Sequence, residues 1–333
     1  MSLARILVLT TGGTIAMTPG SSGAIVPTLS GADLVGAVPA LAQAAQLQVE
    51  SYSSKPGASL TLRDLAQIAA RIDKSFADGC VGAVVVQGTD TIEETAFGLE
   101  LLVHGRRPVV VTGAMRGAQA PGADGPANLL AAAIVAASPE AAGLGALVVL
   151  GDQVHAARRV QKTHTMAPSA FASPGFGPLG LVCEGRLHLQ ARLDALPALE
   201  LPAEWAEPAV ALVKITLGDD GRLLPALPGL GYQGAVIEAM GAGHVPPALA
   251  PLVGDLAAHM PVVLGTRVCA GPVLRASYAF PGSETDLLAR GAMAGGSLGG
   301  LKACLLLRLL LAAGLRGERL RREYSRRCAS LPA

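Results

Sequence analysis

Short apolar runs of strand length recur along the first half of the chain, and most run straight into a cluster of Gly and hydroxyl residues. Residues 5–9, 81–86, 108–112 and 146–150 are rich in Val, Leu and Ile. Such near-continuous runs are the pattern of strands buried on both faces. Between the first two lies a helical period: Leu62, Leu65, Ala69, Ile72 and Phe76 fall on one face, and Thr61 with Asp64 approximates a capping box. Strands buried on both faces need cover on each side. The alternation therefore predicts an α/β protein with a largely parallel sheet and helices on both of its faces.

The remaining segments fill in around that frame. Residues 18–28, rich in Gly, Ser and Pro, read as a loop, and 117–126 as a second one before a helix over 128–137. Residues 33–46 look helical, 47–52 alternate like a strand and 55–59 form a turn. The pattern lapses between about residues 189 and 208, where Pro197, Pro202 and Pro208 punctuate the chain. We read residues 1–190 as a larger N-terminal α/β domain carrying the candidate site, 191–207 as a linker and 208–333 as a smaller C-terminal α/β domain. Strands are expected there at 209–215, 234–238 and 261–265. Residues 301–315 are the most membrane-like stretch, but Lys302 and Arg308 interrupt it and it is too short to span, so it reads as a buried helix.

Composition narrows the function. Hydrophobic residues make up 51% of the chain, charged ones 15%, and the formal net charge is +1. A compact protein with no concentrated basic face is a poor partner for nucleic acid or a membrane surface. Five scattered cysteines without a CxxC pair fit reduced thiols in a cytoplasmic setting, and the amino terminus lacks the pattern of a signal peptide. The six histidines show no HxxxH spacing, no GxGxxG follows a strand, and neither a P-loop nor a GxSxG elbow occurs. A zinc site is therefore not expected, and neither dinucleotide nor P-loop chemistry is indicated.

Three places carry candidate chemistry. After the first run comes Thr11-Gly12-Gly13-Thr14, where two glycines open the backbone to a ligand and Thr14 can present its hydroxyl at a strand's carboxyl end. After the second comes Gly88-Thr89-Asp90-Thr91, with Thr91 and Glu94 at the spacing of a capping box. Lys162 lies in a segment without obvious regular structure. A hydroxyl is a poor nucleophile until a base takes its proton, and a desolvated lysine can be that base. Asp90 can bind an ammonium or orient the lysine. The bland readings stand beside these: Thr14 bonding local backbone, Thr89 and Asp90 capping a helix, Lys162 as a solvated charge.

Taken together the motifs resemble those of the bacterial-type L-asparaginases and glutaminase-asparaginases. They are Thr11-Gly12-Gly13-Thr14-Ile15-Ala16, Gly88-Thr89-Asp90-Thr91-Ile92-Glu93-Glu94-Thr95, Thr112-Gly113-Ala114-Met115-Arg116 and Asp124-Gly125-Pro126-Ala127-Asn128-Leu129, followed by Lys162-Thr163 and Gly177-Pro178-Leu179-Gly180. The similarity continues through Gly282-Ser283-Glu284 and Leu301-Lys302-Ala303. It implies hydrolysis of the side-chain amide of asparagine, with glutamine as a possible second substrate and with no metal or organic cofactor. By match to the family's motifs, Thr14 is the nucleophile, while Thr89, Asp90 and a neutral Lys162 form a second group. Gly57, Ala58, Ser59, Gly88, Thr89, Asp90, Ala114, His244 and Glu284 are the implied substrate-binding residues. The resemblance also implies a homotetramer or homodimer in which Glu284 of one copy reaches the substrate's α-ammonium in another.

The chain departs from the family's pattern at four positions. Ala24 stands where a mobile loop usually carries a Tyr, Gly57 where a Ser commonly binds the substrate carboxylate, Gln87 where a His is usual, and Cys304 where an Arg is frequent. These departures keep two other functions in view: an amino-acid-binding protein without turnover, and an amidohydrolase for a larger amide.

Overall fold

The first apolar run forms β1 (Arg5–Thr10), buried from Ile6 to Leu9 and hydrogen-bonded to a parallel strand on each side. The computed structural model describes residues 3–12, 17–19, 25–27 and 31–328. Its two units are Met1–Ala198 and Leu199–Ala333. After β1, β2 (Met17–Pro19) and β3 (Ile25–Pro27) pair as a short antiparallel ladder. The expected loop over 18–28 is corrected for these stretches: both prolines sit at strand ends, where a missing N–H is tolerated. The rest of that loop lies outside the described residues.

The single helix expected over 33–46 is instead two short ones, α1 (Gly31–Gly36) and α2 (Leu41–Ala44), before β4 (Gln46–Ser51). Pro39 lies between them. It has no N–H and disfavours helical backbone in the residue before it. α3 (Leu62–Ala77) carries the expected buried face and the full capping box, with the Thr61 N–H donating to Asp64 Oδ2 at 2.8 Å. β5 (Gly82–Val86), α4 (Ile92–Leu102), β6 (Val109–Thr112), α5 (Gly125–Ala137) and β7 (Ala146–Leu150) continue the alternation. α5 is alanine-rich, so it approaches the sheet closely: a Cβ on Gly82 would lie 1.9 Å from the Ala136 carbonyl oxygen.

Past β7 the sheet turns antiparallel. Gly151 and Asp152, both with positive φ, make a two-residue turn into β8 (Gln153–Ala156), matching the right-handed twist of a hairpin. β9 (Gln161–Lys162) pairs with β10 (Phe171–Ala172) in a separate two-stranded sheet. β11 (Gly180–Cys183) and β12 (Arg186–Leu189) then extend the main sheet to eight strands in the order β12-β11-β8-β7-β6-β5-β1-β4. Counted along the chain, the parallel strands run second, first, third, fourth, fifth.

The C-terminal unit repeats the principle on a smaller scale. β13 (Val210–Lys214), β14 (Gly234–Ala239), α6 (Leu249–His259), β15 (Val262–Thr266), α7 (Glu284–Ala289) and β16 (Met293–Ala294) lead to α8 (Gly300–Ala312) and α9 (Gly317–Arg327). Its four strands form one parallel sheet. α8 is the buried helix read at 301–315, although Leu301 itself is exposed. Each unit has its own apolar core. Among the described residues no helix is long and apolar enough to cross a membrane.

Candidate active site

Topology selects the place. β1 has β4 on one side and β5 on the other, so the chain reverses direction across the sheet at β1. Open α/β sheets take ligands in the crevice outside the carboxyl ends of the strands at such a point. The ends of β1 and β5 are the two Gly/Thr turns singled out by the sequence.

At the end of β1 the turn is tied down from both sides. The Thr11 N–H donates to Val86 O at 2.9 Å, and the Ser53 hydroxyl donates to Thr11 O at 2.9 Å. Gly12 has φ +107°, and a Cβ there would stand 2.7 Å from Lys55 O, so only glycine lets the two chains meet. Lys55 Nζ reaches Asp64 at 2.8 Å, and the Tyr52 hydroxyl donates to the same carboxylate at 3.1 Å. Burial pushes the Asp64 pKa up, yet the hydrogen bonds from Lys55, Thr61 and Tyr52 outweigh it and bring it to about 2. Thr14 and Ala24 lie outside the described residues.

At the end of β5, Gln87 and Gly88 lead into a single 3-10 turn, Thr89–Thr91, from which α4 starts. Thr89 is buried, while the Asp90 side chain is 64% exposed. Lys162 reaches both: Nζ donates to Thr89 Oγ1 at 2.9 Å and lies 3.2 Å from Asp90 Oδ1. These three are far apart in sequence and meet here. The segment carrying Lys162, which lacked a recognisable pattern, is β9, and its pairing with Phe171 fixes it. The Lys162 N–H also donates to Glu93 Oε1 at 3.3 Å, so the first turn of α4 grips the lysine's backbone.

The capping box expected from Thr91 and Glu94 does not form. Thr91 is the N-cap of α4, but its side chain makes no capping bond. The hydroxyl donates instead to Gly57 O at 2.9 Å and accepts from Gln87 Nε2 at 3.2 Å. This brings the Gly57–Ser59 turn to the site. Gly57 is buried against Gly88, whose carbonyl oxygen would lie 2.8 Å from a Cβ at Gly57, while Ala58 and Ser59 are exposed.

A third loop closes in behind Thr89. A Cβ on Gly113 would stand 3.4 Å from Thr89 Cγ2, and Ala114 next to it is buried. Asp124 accepts the N–H groups of Met115 and Arg116 at 2.9 and 2.8 Å. Asn128 donates to Gly113 O at 3.0 Å and to Asp124, and accepts from the Gly151 N–H. Asp124 and Asn128, singled out in the sequence only as part of the Asp124–Leu129 motif, therefore shape the backbone at Ala114.

His244 and Glu284 lie in the C-terminal unit. Glu284 is fully buried: Oε1 accepts from the Ser277 and Tyr278 N–H groups at 2.9 and 2.8 Å, and Oε2 lies 3.2 Å from His244 Nε2. Burial alone raises its pKa, but the N–H groups of Tyr278, Ser277 and its own backbone, with His244, carry it below the ordinary value. Its charge is thus retained, and those bonds are made within its own unit.

Sequence reasoning also passed over His155. Its ring is buried, with Nδ1 2.9 Å from the Ser173 hydroxyl, and burial lowers its pKa to about 4. Ser173 directly follows β10, the partner of the Lys162 strand. A lone histidine in an apolar run gave no signal of this. Among the described residues no cluster of three or more His, Cys, Asp or Glu side chains could hold a metal ion.

The family model described as Asparaginase, N-terminal matches residues 5–195, and that of the Glutaminase/Asparaginase C-terminal domain matches residues 209–323. A probable L-asparaginase of Deinococcus radiodurans is 38% identical, covering 97% of this chain and 98% of its own. An L-asparaginase of Bacillus licheniformis is 34% identical, covering 93% and 96%. The crystal structure of a probable cytoplasmic L-asparaginase from Campylobacter jejuni superposes with a TM-score of 0.85 at 29% identity, covering 97% of this chain and 98% of that one.

Proposed function

The chain belongs to the asparaginase family, and from that membership and the Lys162–Thr89–Asp90 group we propose that it hydrolyses the side-chain amide of L-asparagine to L-aspartate and ammonia through a threonine nucleophile. The observation that carries the reading is the 2.9 Å bond between Lys162 Nζ and a buried threonine hydroxyl at the carboxyl end of β5.

In this reading Thr14 attacks the amide carbon. The Thr14 hydroxyl proton passes through the Thr89–Lys162 pair, in which neutral Lys162 takes the proton of Thr89, to the amide nitrogen, so ammonia leaves as the C–N bond breaks and the pair ends unchanged. Water then attacks the acyl-threonine, releasing aspartate. Asp90, with its exposed carboxylate, holds the α-ammonium. The N–H groups of Gly57 and Ala58 take the α-carboxylate in place of a serine side chain at position 57. Backbone N–H donors aimed at the tetrahedral oxyanion are worth about 3 kcal/mol each. The same proposal includes two or four copies sharing sites through Glu284, and a cytoplasmic setting, which the five free cysteines support.

The test is ammonia release from L-asparagine, L-glutamine and peptide-linked amides by the wild-type protein and by Thr14→Ala and Thr89→Ala. Turnover of asparagine that falls at least about 100-fold in both variants is expected, the scale of losing an acid–base or nucleophilic group. Turnover unchanged in both overturns the threonine chemistry. One observation favours a second reading: Ala24 occupies the position of the family's loop tyrosine. Tight aspartate binding by calorimetry without ammonia release over hours would select an amino-acid-binding protein instead.

A further inference from the structure

We infer that Thr91, backed by Gln87, is a positioning residue that sets the Gly57–Ser59 turn for a substrate α-carboxylate, and so makes the site selective for amides that carry one. The inference rests on the function proposed above. It starts from a local rule that the chain breaks. Thr91 is the N-cap of α4 and has Glu94 three residues on, yet its side chain makes no capping bond, which forfeits the stabilisation of a filled cap. Local rules are broken without compensation mainly at functional sites.

The hydrogen-bond accounting shows where the hydroxyl goes. Its one proton is donated to Gly57 O at 2.9 Å, and its lone pair accepts from Gln87 Nε2 at 3.2 Å. The other amide proton of Gln87 goes to Gly88 O at 3.2 Å, so the orientation of Thr91 is fixed from behind. Gln87 is fully buried, and its Oε1 has no partner among the described residues. An amide kept inside with an unmet acceptor is destabilising by itself. Its retention here goes with the two bonds that its nitrogen makes.

Gly57 O accepts a second bond from the Leu60 N–H at 3.2 Å, so two donors hold the Gly57–Ala58 peptide plane. In a planar trans peptide the N–H points opposite to the carbonyl. Pinning Gly57 O to Thr91 therefore aims the Ala58 N–H away from α4. That N–H and that of Gly57 meet no acceptor among the described residues, whereas the Ser59 N–H is taken by Pro56 O at 2.9 Å. Gly57 has no side chain where a serine would grip the anion, so the orientation of the peptide is what remains to do so at that position.

The experiment is steady-state kinetics on Thr91→Val, Thr91→Ser and Gln87→Met, with L-asparagine and with β-alaninamide, which is asparagine without its α-carboxylate. Thr91→Val should raise KM for asparagine at least about 10-fold, keep kcat within about 3-fold, and leave kcat/KM for β-alaninamide unchanged. Thr91→Ser should restore the wild-type KM, and Gln87→Met should give a smaller rise of the same kind. Circular dichroism confirms that each variant is folded, and Gln87→Met carries the test alone if Thr91→Val is not. An unchanged KM in the valine and methionine variants overturns the inference, as does equal loss on both amides. A wild-type protein that releases no ammonia from asparagine overturns the proposed function, and calorimetric titration of L-aspartate then decides between the two. Affinity that falls at least about 10-fold in Thr91→Val keeps the positioning role, and affinity that is absent or unaltered removes it.

Discussion

His155 should make the N-terminal unit lose stability on mild acidification, well before its carboxylates protonate. Its pKa falls from 6.5 to about 4 because burial disfavours the charged ring. Between those values the unfolded chain binds a proton that the folded protein refuses, so stability falls as pH falls. The slope is about 1.4 kcal/mol per pH unit, and over that interval the loss comes to about 3 kcal/mol. Above pH 6.5 the contribution is fully present, and below about pH 4 nothing further is lost from this group. The substitution that isolates it is His155→Asn, which can still bond Ser173 near the position of Nδ1 but does not titrate.

Two measurements check this. Imidazole NMR should show one ring titrating near pH 4, and its signal should vanish in His155→Asn. Urea unfolding followed by far-UV circular dichroism should then give a stability difference between wild type and variant that changes by about 3 kcal/mol from pH 6.5 to 4. Tryptophan fluorescence is the wrong probe, because the single tryptophan, Trp205, belongs to the C-terminal unit. Parallel stability curves over that range, or a ring that titrates near 6.5, would refute the argument. The native site is spared: Ser173 follows β10, the partner of the Lys162 strand, and because the folded ring stays neutral down to about pH 4, that support is kept until the unit unfolds.

Three further outcomes follow from single contacts. Lys162→Met should reduce kcat for asparagine at least about 100-fold, and a kcat left unaltered would remove its role as base. Asp64, held at about 2 against an ordinary 3.8, contributes about 2 kcal/mol that is present above pH 4 and lost as pH falls toward 2. Lys55→Met should shrink that acid limb in urea titrations, and an unaltered limb would show that the bonds to Thr61 and Tyr52 suffice. Gly82→Ala puts a methyl 1.9 Å from a backbone oxygen and should cost about 3 kcal/mol in chemical unfolding, whereas Gly36→Ala, with open space around it, should change stability by less than about 1 kcal/mol.

What the sequence discloses is what is local. Runs such as Val109–Thr112 and Ala146–Leu150 announce buried strands because continuous hydrophobicity is itself the signal. The capping box of α3 is readable because Thr61 and Asp64 serve each other. β9 and β10 leave no such mark: each has two residues, and their pairing depends on a partner across an intervening loop. The antiparallel edge of β8, β11 and β12 consists of four-residue strands that make no continuous buried run, although its two-residue turns, Gly151-Asp152 and Glu184-Gly185, adopt positive φ and are in principle legible.

Thr91 shows why the site resists reading more than the fold does. The same Thr-x-x-Glu spacing describes a helix cap and describes this residue, and only the approach of Gly57 decides between them. A cap satisfies its own helix, whereas Thr91 satisfies a carbonyl on a turn 34 positions earlier in the chain. Lys162 presents the same ambiguity, as a solvated charge or a base, until β10 fixes its backbone and Thr89 its nitrogen. In both cases sequence supplies a group with the right chemistry, and the pairing of distant segments supplies its partner. Local pattern therefore identifies which residues can act. The sheet topology, by bringing the ends of β1 and β5 side by side, determines which of them meet.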